Sequence, residues 1–208
     1  MSTAINRLCQ PPLFDSPLAA NSGWPQGATM TATQQPHIRL DPVSDADLPH
    51  IYRGLSDPRV VAYYGVSYDS LTACQAQMAW YAELTRTGCG AWHLIRDQNT
   101  DEPLGAIGYN DADPTHQRAE LGYWLYPEHW GKGVMSAALQ LWLPLTYRTS
   151  ELHRLLAVVE EPNLPSARLL ERAGFHYEGT ARECERKGDG FISLRHYAIL
   201  RSDLPANL

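Results

Sequence analysis

From residue 37 onward, apolar positions fall into two rhythms, one of period two and one of period three to four. His37-Ile38-Arg39-Leu40 alternates as a half-buried strand does. Ser44-Asp45-Ala46-Asp47 reads as a helix start, a capping serine with an acid three residues on, and Leu48, Ile51, Tyr52 and Leu55 then share one helical face. Asp57-Pro58 ends that helix, because a residue before proline is driven out of the helical region. Val60 to Tyr64 leads into a second helix over Ser70–Arg86, with Leu71, Cys74, Met78, Tyr81 and Leu84 inward. Trp92–Arg96 and Leu104–Tyr109 read as strands separated by the polar turn Asp97–Glu102. Asn110–Pro114 makes a hairpin-type connection to a strand over Arg118–Leu125, closed by Pro127.

Beyond that strand, Val134, Ala137, Ala138, Leu141, Trp142 and Leu145 recur at helical spacing, and Arg154–Val159 is a short apolar strand. Pro165 sits in the opening turn of a further helix with Leu169, Leu170 and Ala173 inward. Gly174 fits its left-handed stop, and Phe175 supplies the apolar residue after it. Strands over His176–Arg182 and Phe191–Leu200, joined through the polar loop Lys187–Gly190, close the chain. The order β-α-α-β-β-β-α-β-α-β-β predicts a mixed α+β fold, a largely antiparallel sheet with helices on both sides. Residues 1–35, with Pro11, Pro12, Pro17 and Pro25 among Ser, Asn, Gln and Gly, read as an irregular or disordered tail ahead of one domain over 36–208. Met30 would open a shorter version of the same domain, and an arm that folds over a partner is the other reading of the tail.

Charge narrows the function classes. A net charge of −6 and a pI near 5.7 argue against nucleic-acid or anionic-membrane binding and are compatible with a cationic substrate such as an amine. The four cysteines, Cys9, Cys74, Cys89 and Cys184, form no Cys-x-x-Cys, and no two histidines stand at His-x-x-x-His spacing, so neither structural zinc nor a disulfide framework is expected. No apolar run has the length of a membrane span and no signal-type core opens the chain, so the expected location is the cytoplasm.

The turn His129-Trp130-Gly131-Lys132-Gly133-Val134-Met135 carries the sharpest chemical hint. Its two glycines allow a tight strand-to-helix turn and a close approach of backbone to ligand. The free N–H groups and positive dipole end of the following helix then offer a seat for an anion. Alone, the motif reads first as a tight turn that binds nothing. It lacks both the Gly-x-x-x-x-Gly-Lys-Ser/Thr phosphate loop and the third glycine of a dinucleotide fingerprint. A covalent acyl-enzyme is not suggested, because no Gly-x-Ser-x-Gly occurs.

Two blocks taken together carry a family likeness: Leu121-Gly122-Tyr123-Trp124-Leu125 running into Trp130-Gly131-Lys132-Gly133, and Asn163…Ser166…Leu170-Glu171-Arg172-Ala173-Gly174-Phe175-His176-Tyr177-Glu178-Gly179. Residues 37 to 204, about four fifths of the chain, resemble a GNAT acetyltransferase, in particular the RimJ/RimL-like branch that acetylates protein N-termini. The wider superfamily carries Arg or Gln where Trp130 stands and Gly or Ala where Met135 stands. The resemblance implies the GNAT acyl-CoA N-acyltransferase fold, acetyl-CoA as co-substrate, no metal, and a cleft where the strand of Glu120 splays from that of Leu155–Val159. It also implies roles: amides of Gly131, Lys132, Gly133, Val134, Met135 and Ser136 on the pyrophosphate, with Trp130 in the same loop. Backbone of Trp124, Leu125 and Tyr126 would bond pantetheine and polarise the thioester carbonyl. Asn163 would hydrogen-bond the pantetheine arm or cap its helix. Lys132 and Arg168 would reach phosphates or remain solvated.

Acetyl transfer needs a deprotonated amine and a proton for the departing thiolate. Glu120 is the candidate base, and a surface ion pair with Arg118 or Arg39 is its alternative; Glu160 and Glu161 are lesser candidates. Ser166 matches the position where the branch often carries a proton-donating serine, and a cap is its routine structural use. The acceptor is then a primary amine, a protein N-terminus or a small molecule, attacked directly in a ternary complex. A non-catalytic acyl-CoA sensor or scaffold is the competing reading, and would need neither Glu120 nor Ser166. Tyr63, Tyr64, Trp80 and Tyr81 either line an acceptor groove or pack the core, and exposed aromatics would support a homodimer.

Overall fold

The computed structural model describes residues 36–205, so the expected tail lies outside the described residues. The chain runs β1 (Ile38–Pro42), α1 (Leu48–Leu55), α2 (Pro58–Val61), α3 (Leu71–Thr87), β2 (Ala91–Asp97), β3 (Pro103–Asp113), β4 (Arg118–Leu125), α4 (Val134–Thr149), β5 (Arg154–Glu160), α5 (Leu164–Arg172), β6 (His176–Lys187) and β7 (Gly190–Leu200). All seven strands form one sheet in the order β1-β2-β3-β4-β5-β7-β6. Every neighbouring pair is antiparallel except β4 and β5.

That exception creates the site. The parallel pairing covers only Arg118↔Arg154, Ala119↔Leu155 and Glu120↔Leu156. Past those residues β4 continues to Leu125 alongside β3, and β5 continues to Glu160 alongside β7, without pairing each other. A wedge-shaped gap therefore opens in the middle of the sheet, edged on both sides by strand backbone.

Two cores flank the sheet. On one face α4 and α5 bury Val134, Met135, Ala138, Leu139, Trp142 and Leu170 against Ile107, Leu121, Leu155 and Tyr197. On the other, α1 and α3 bury Ile51, Leu55, Cys74, Met78 and Tyr81 against Trp92, Leu94, Trp124 and Tyr126. Ser70 caps α3 by accepting from the Ala73 N–H at 3.2 Å, and Gly88 ends the helix at φ 70°. Among the described residues no helix is long and apolar enough to cross a membrane.

Several expectations shift. The segment after Asp57 holds an additional one-turn helix, α2, because Asp57 accepts from the Arg59 N–H as a cap and Pro58 presets its first turn. The inward face of α4 is rotated from the expected one: Met135, Leu139, Leu143 and Tyr147 are buried, and Leu141 is 49% exposed. The run Ala137–Leu145 is apolar on nearly all sides, so periodicity alone leaves its phase open. β3 runs on to Asp113 through a register shift, with Asp111 at φ 53°. β6 runs on to Lys187 through a second shift near Glu183. Both extensions are polar, which hides them from an apolar alternation test.

Candidate active site

Along β4 successive side chains alternate between the two cores. Ala119, Leu121 and Leu125 lie in the α4–α5 core with Tyr123 packed against it, whereas Trp124 and Tyr126 lie in the α1–α3 core. Glu120 shares the parity of Trp124, so it faces the α1–α3 side. The two faces of the gap thus receive different chemistry from one strand.

The backbone of β4 alternates as well. Tyr126 N–H donates to Leu104 C=O at 2.9 Å. In an antiparallel ladder this places Trp124 on the β3 side too and turns the amides of Tyr123 and Leu125 toward the gap. The expected polarising role of the Trp124, Leu125 and Tyr126 backbone therefore narrows: the Trp124 and Tyr126 amides are engaged in the sheet, and Leu125 is the strand-end donor turned into the cleft. The Trp130 indole N–H donates to Leu125 C=O at 2.9 Å and ties the following loop to that strand end.

The loop itself is a row of donors. Trp130 N–H bonds Pro127 C=O at 3.2 Å, and the next amide with a backbone partner is that of Ala137, bonded to Gly133 C=O at 3.0 Å. Between them, none of the six amides from Gly131 to Ser136 makes a hydrogen bond of ordinary geometry to the described chain. Gly131 and Gly133 stand at φ 70° and 77°, and a Cβ at either would meet nothing within 4 Å. Val134 and Met135 bury their side chains in the core, so only their amides present to the loop. Unsatisfied N–H groups at the start of a 16-residue helix, beside open space, suit a pyrophosphate. Lys132 and Arg168 are exposed and in no ion pair among the described residues.

On the α4–α5 side, Ser166 Oγ lies 2.7 Å from the Tyr123 hydroxyl. Burial pushes the Tyr123 phenol up to about 12, against a smaller opposing effect of the Ser166 hydrogen bond. It is neutral at neutral pH and shares a hydrogen bond with Ser166 in which either hydroxyl can donate. Asn163 Oδ1 accepts from Ser166 N–H at 3.3 Å, so Asn163 does cap α5, and its Nδ2 makes no hydrogen bond among the described residues. Nothing in the apolar rhythm flagged Tyr123; its parity with the buried Leu121 and Leu125 was the available signal.

On the α1–α3 side, Glu120 is half-buried and forms no ion pair among the described residues. Arg39 is engaged by Asp41 and Asp101, so the anticipated surface pairing with Arg39 or Arg118 does not form. Burial first, then the neighbouring charges of Asp111 and Glu185, hold the Glu120 carboxyl above the ordinary glutamate value. Glu160 instead pairs with Lys187, and Glu161 is exposed. Of the four aromatics, Tyr81 is core, while Tyr63 and Trp80 are exposed at 46% and 39%.

Comparison with known proteins identifies the family and the fold. The acetyltransferase (GNAT) domain matches residues 37–176. N-acetyltransferase p20 of Bacillus licheniformis is 30% identical over 172 residues, 82% of this chain and 96% of its own length. A ribosomal-protein-serine acetyltransferase of Escherichia coli is 34% identical over 98 residues, 47% of this chain and 55% of its own. The fold is also that of spermidine N-acetyltransferase from Vibrio cholerae, solved with CoA and spermine, with a TM-score of 0.72 over 80% of this chain and 97% of that one at 20% identity. The splayed β4–β5 pair and the donor-lined loop thus sit in a chain that belongs to the GNAT acetyltransferase family, an N-acetyltransferase acting on amines.

Proposed function

We propose that acetyl-CoA lies in the β4–β5 gap with its pyrophosphate on the amides of Gly131–Ser136 and its pantetheine arm between the Leu125 backbone and Asn163 Nδ2. The observation that carries this reading is the row of six backbone donors without partners among the described residues, continuous with a gap in the sheet. Gly131, Lys132 and Gly133 are exposed, so water satisfies these amides until an anion accepts from them. The donors are fixed by the fold and need no reorganisation when charge develops.

The acceptor approaches from the α1–α3 side as a primary amine, a protein N-terminus by kinship with the ribosomal-protein acetyltransferases. Glu120 takes a proton from the amine, whose lone pair forms the new C–N bond at the thioester carbonyl. The Leu125 N–H bonds the oxyanion. As the C–S bond breaks, Ser166 donates a proton to the leaving sulfur and recovers one through its hydrogen bond with Tyr123, while Glu120 releases the amine proton to solvent, which returns a proton to Tyr123. Base and acid stand on opposite faces of one strand, which keeps the two proton transfers apart.

Incubating the full chain with acetyl-CoA and a panel of peptides and amines, with thiol release and acceptor mass followed together, tests this. The expected result is thiol release matched by one acetyl group on the acceptor. Tight CoA binding with no thiol release from any amine would instead mark an acyl-CoA sensor.

A further inference from the structure

The end of β5 carries a second arrangement outside the transfer chemistry. Leu155, Ala157 and Val159 point into the α4–α5 core, so Leu156, Val158 and Glu160 face the acceptor side with Glu120. There the Lys187 ammonium, at the tip of the β6–β7 hairpin, donates to Glu160 Oε1 at 2.5 Å and to Ala62 C=O at 2.6 Å, and stands 5.6 Å from the centre of the Tyr63 ring. Three elements distant in sequence, the exit of α2, the end of β5 and the hairpin, meet on one nitrogen. The Glu160 side chain is 13% exposed and pairs with no other cation among the described residues. The Lys187 side chain is 44% exposed.

A carboxylate, a helix-end carbonyl and an aromatic face make a general recognition set for a primary ammonium. The same set of groups can hold an amine from solution, which must outcompete the tethered lysine. Its surroundings also favour cations, since Glu120 and its neighbours Asp111 and Glu185 share the same face with no ion pair among the described residues. From Leu156, the partner of Glu120, to Glu160 is roughly 13 Å along the strand at about 3.3 Å per residue.

We infer that Glu160, the Ala62 carbonyl and Tyr63 form an ammonium subsite for a second cationic nitrogen of the acceptor, and that Lys187 occupies it as a tethered competitor until such an acceptor displaces it. The inference rests on the proposed placement of the acceptor amine before Glu120. It predicts a preference for acceptors with two well-separated amino groups over monoamines of equal length.

The test uses the full chain saturated with CoA, with diaminooctane and octylamine as matched probes in titration calorimetry. Lys187→Met keeps the length of the stem and removes the charge. It should tighten diaminooctane about tenfold, the scale of one charge-assisted hydrogen bond, and leave octylamine unchanged. Glu160→Gln placed in the Lys187→Met background should weaken diaminooctane by a similar factor. If Lys187→Met leaves diaminooctane unchanged, or weakens both probes, Lys187 is a latch between the hairpin and α2 and the subsite is overturned. Because the readout is binding, it is separable from turnover: absent thiol release with intact discrimination would remove the proposed activity and keep the cage.

Discussion

Replacing Gly133 with alanine separates a backbone cost from a ligand cost. Gly133 stands at φ 77°, where a residue with a Cβ costs about 1–2 kcal/mol. No protein atom lies within 4 Å of the new Cβ, so no packing clash adds to that figure. For a domain of this size each kcal/mol lowers Tm by about 2–4 °C, giving an expected loss of about 2–8 °C. The affinity of the folded protein for CoA is a separate quantity. If the diphosphate sits on the Gly131–Ser136 amides, the Cβ projects into its space and strains the loop that aims those amides. Loss of a single hydrogen bond to a charged group, about 1.5–3 kcal/mol, weakens binding roughly 10- to 150-fold. Titration calorimetry with CoA on protein shown by its melt to be folded gives the number. An unchanged Kd in a variant with the expected Tm loss would mean that the open space beside Gly133 is not where the coenzyme binds, and the proposed site would go with it.

Three further outcomes are expected. Because the Glu120 carboxyl titrates above the ordinary glutamate value, the folded state holds its proton more tightly than the unfolded state, and Glu120 lowers stability as pH rises through that window. Glu120→Gln should therefore match the wild type in acid melts and exceed it at neutral pH, while its kcat/KM falls about 100-fold or more and loses the acid limb of the pH–rate profile. Ser166→Ala should lower kcat about 10- to 100-fold with the KM for acetyl-CoA little changed, and Tyr123→Phe, which removes the 2.7 Å partner of Ser166, should cost a few-fold by the same steady-state assay. Gly54→Ala should destabilise, because its Cβ would lie 2.3 Å from the Trp124 ring; overpacking of about 1–3 kcal/mol outweighs the helix-propensity gain of at most about 1, and a raised Tm would refute that reading.

Much of this site was written in local chemistry. Gly131 and Gly133 before an apolar helical run announced a donor-lined helix start, and Asn163-Leu164-Pro165-Ser166 announced a capped one. Local pattern could not supply pairing. That β4 contacts β5 over three residues and then parts from it follows from how two distant segments are held by their outer neighbours, β3 and β7, and no window along the chain encodes that. The same holds for the Lys187 cage, whose members lie 125 and 27 residues from the lysine. In the phase of α4, Ala137–Leu145 offered more apolar positions than one face needs, and contacts with the sheet selected among them.

Strand parity bears on how the two proposed proton transfers would stay independent. Glu120 and Tyr123 are three residues apart, an odd separation, so the pleat sends them to opposite faces with the backbone between them. Their perturbations share a cause, burial: desolvation lifts the Glu120 carboxyl above the ordinary glutamate value, which strengthens it as a base, and keeps the Tyr123 phenol neutral beside Ser166. If both stood on one face at hydrogen-bonding distance, the carboxylate would accept from the phenol, Glu120 would fall back toward its ordinary value, and the donor at Ser166 would be lost. Shifting either residue by one position along β4 would put both on one face. The motif Glu120-Leu121-Gly122-Tyr123 therefore constrains spacing as well as identity, and the parallel pairing that ends at Glu120 fixes where along the strand the gap begins.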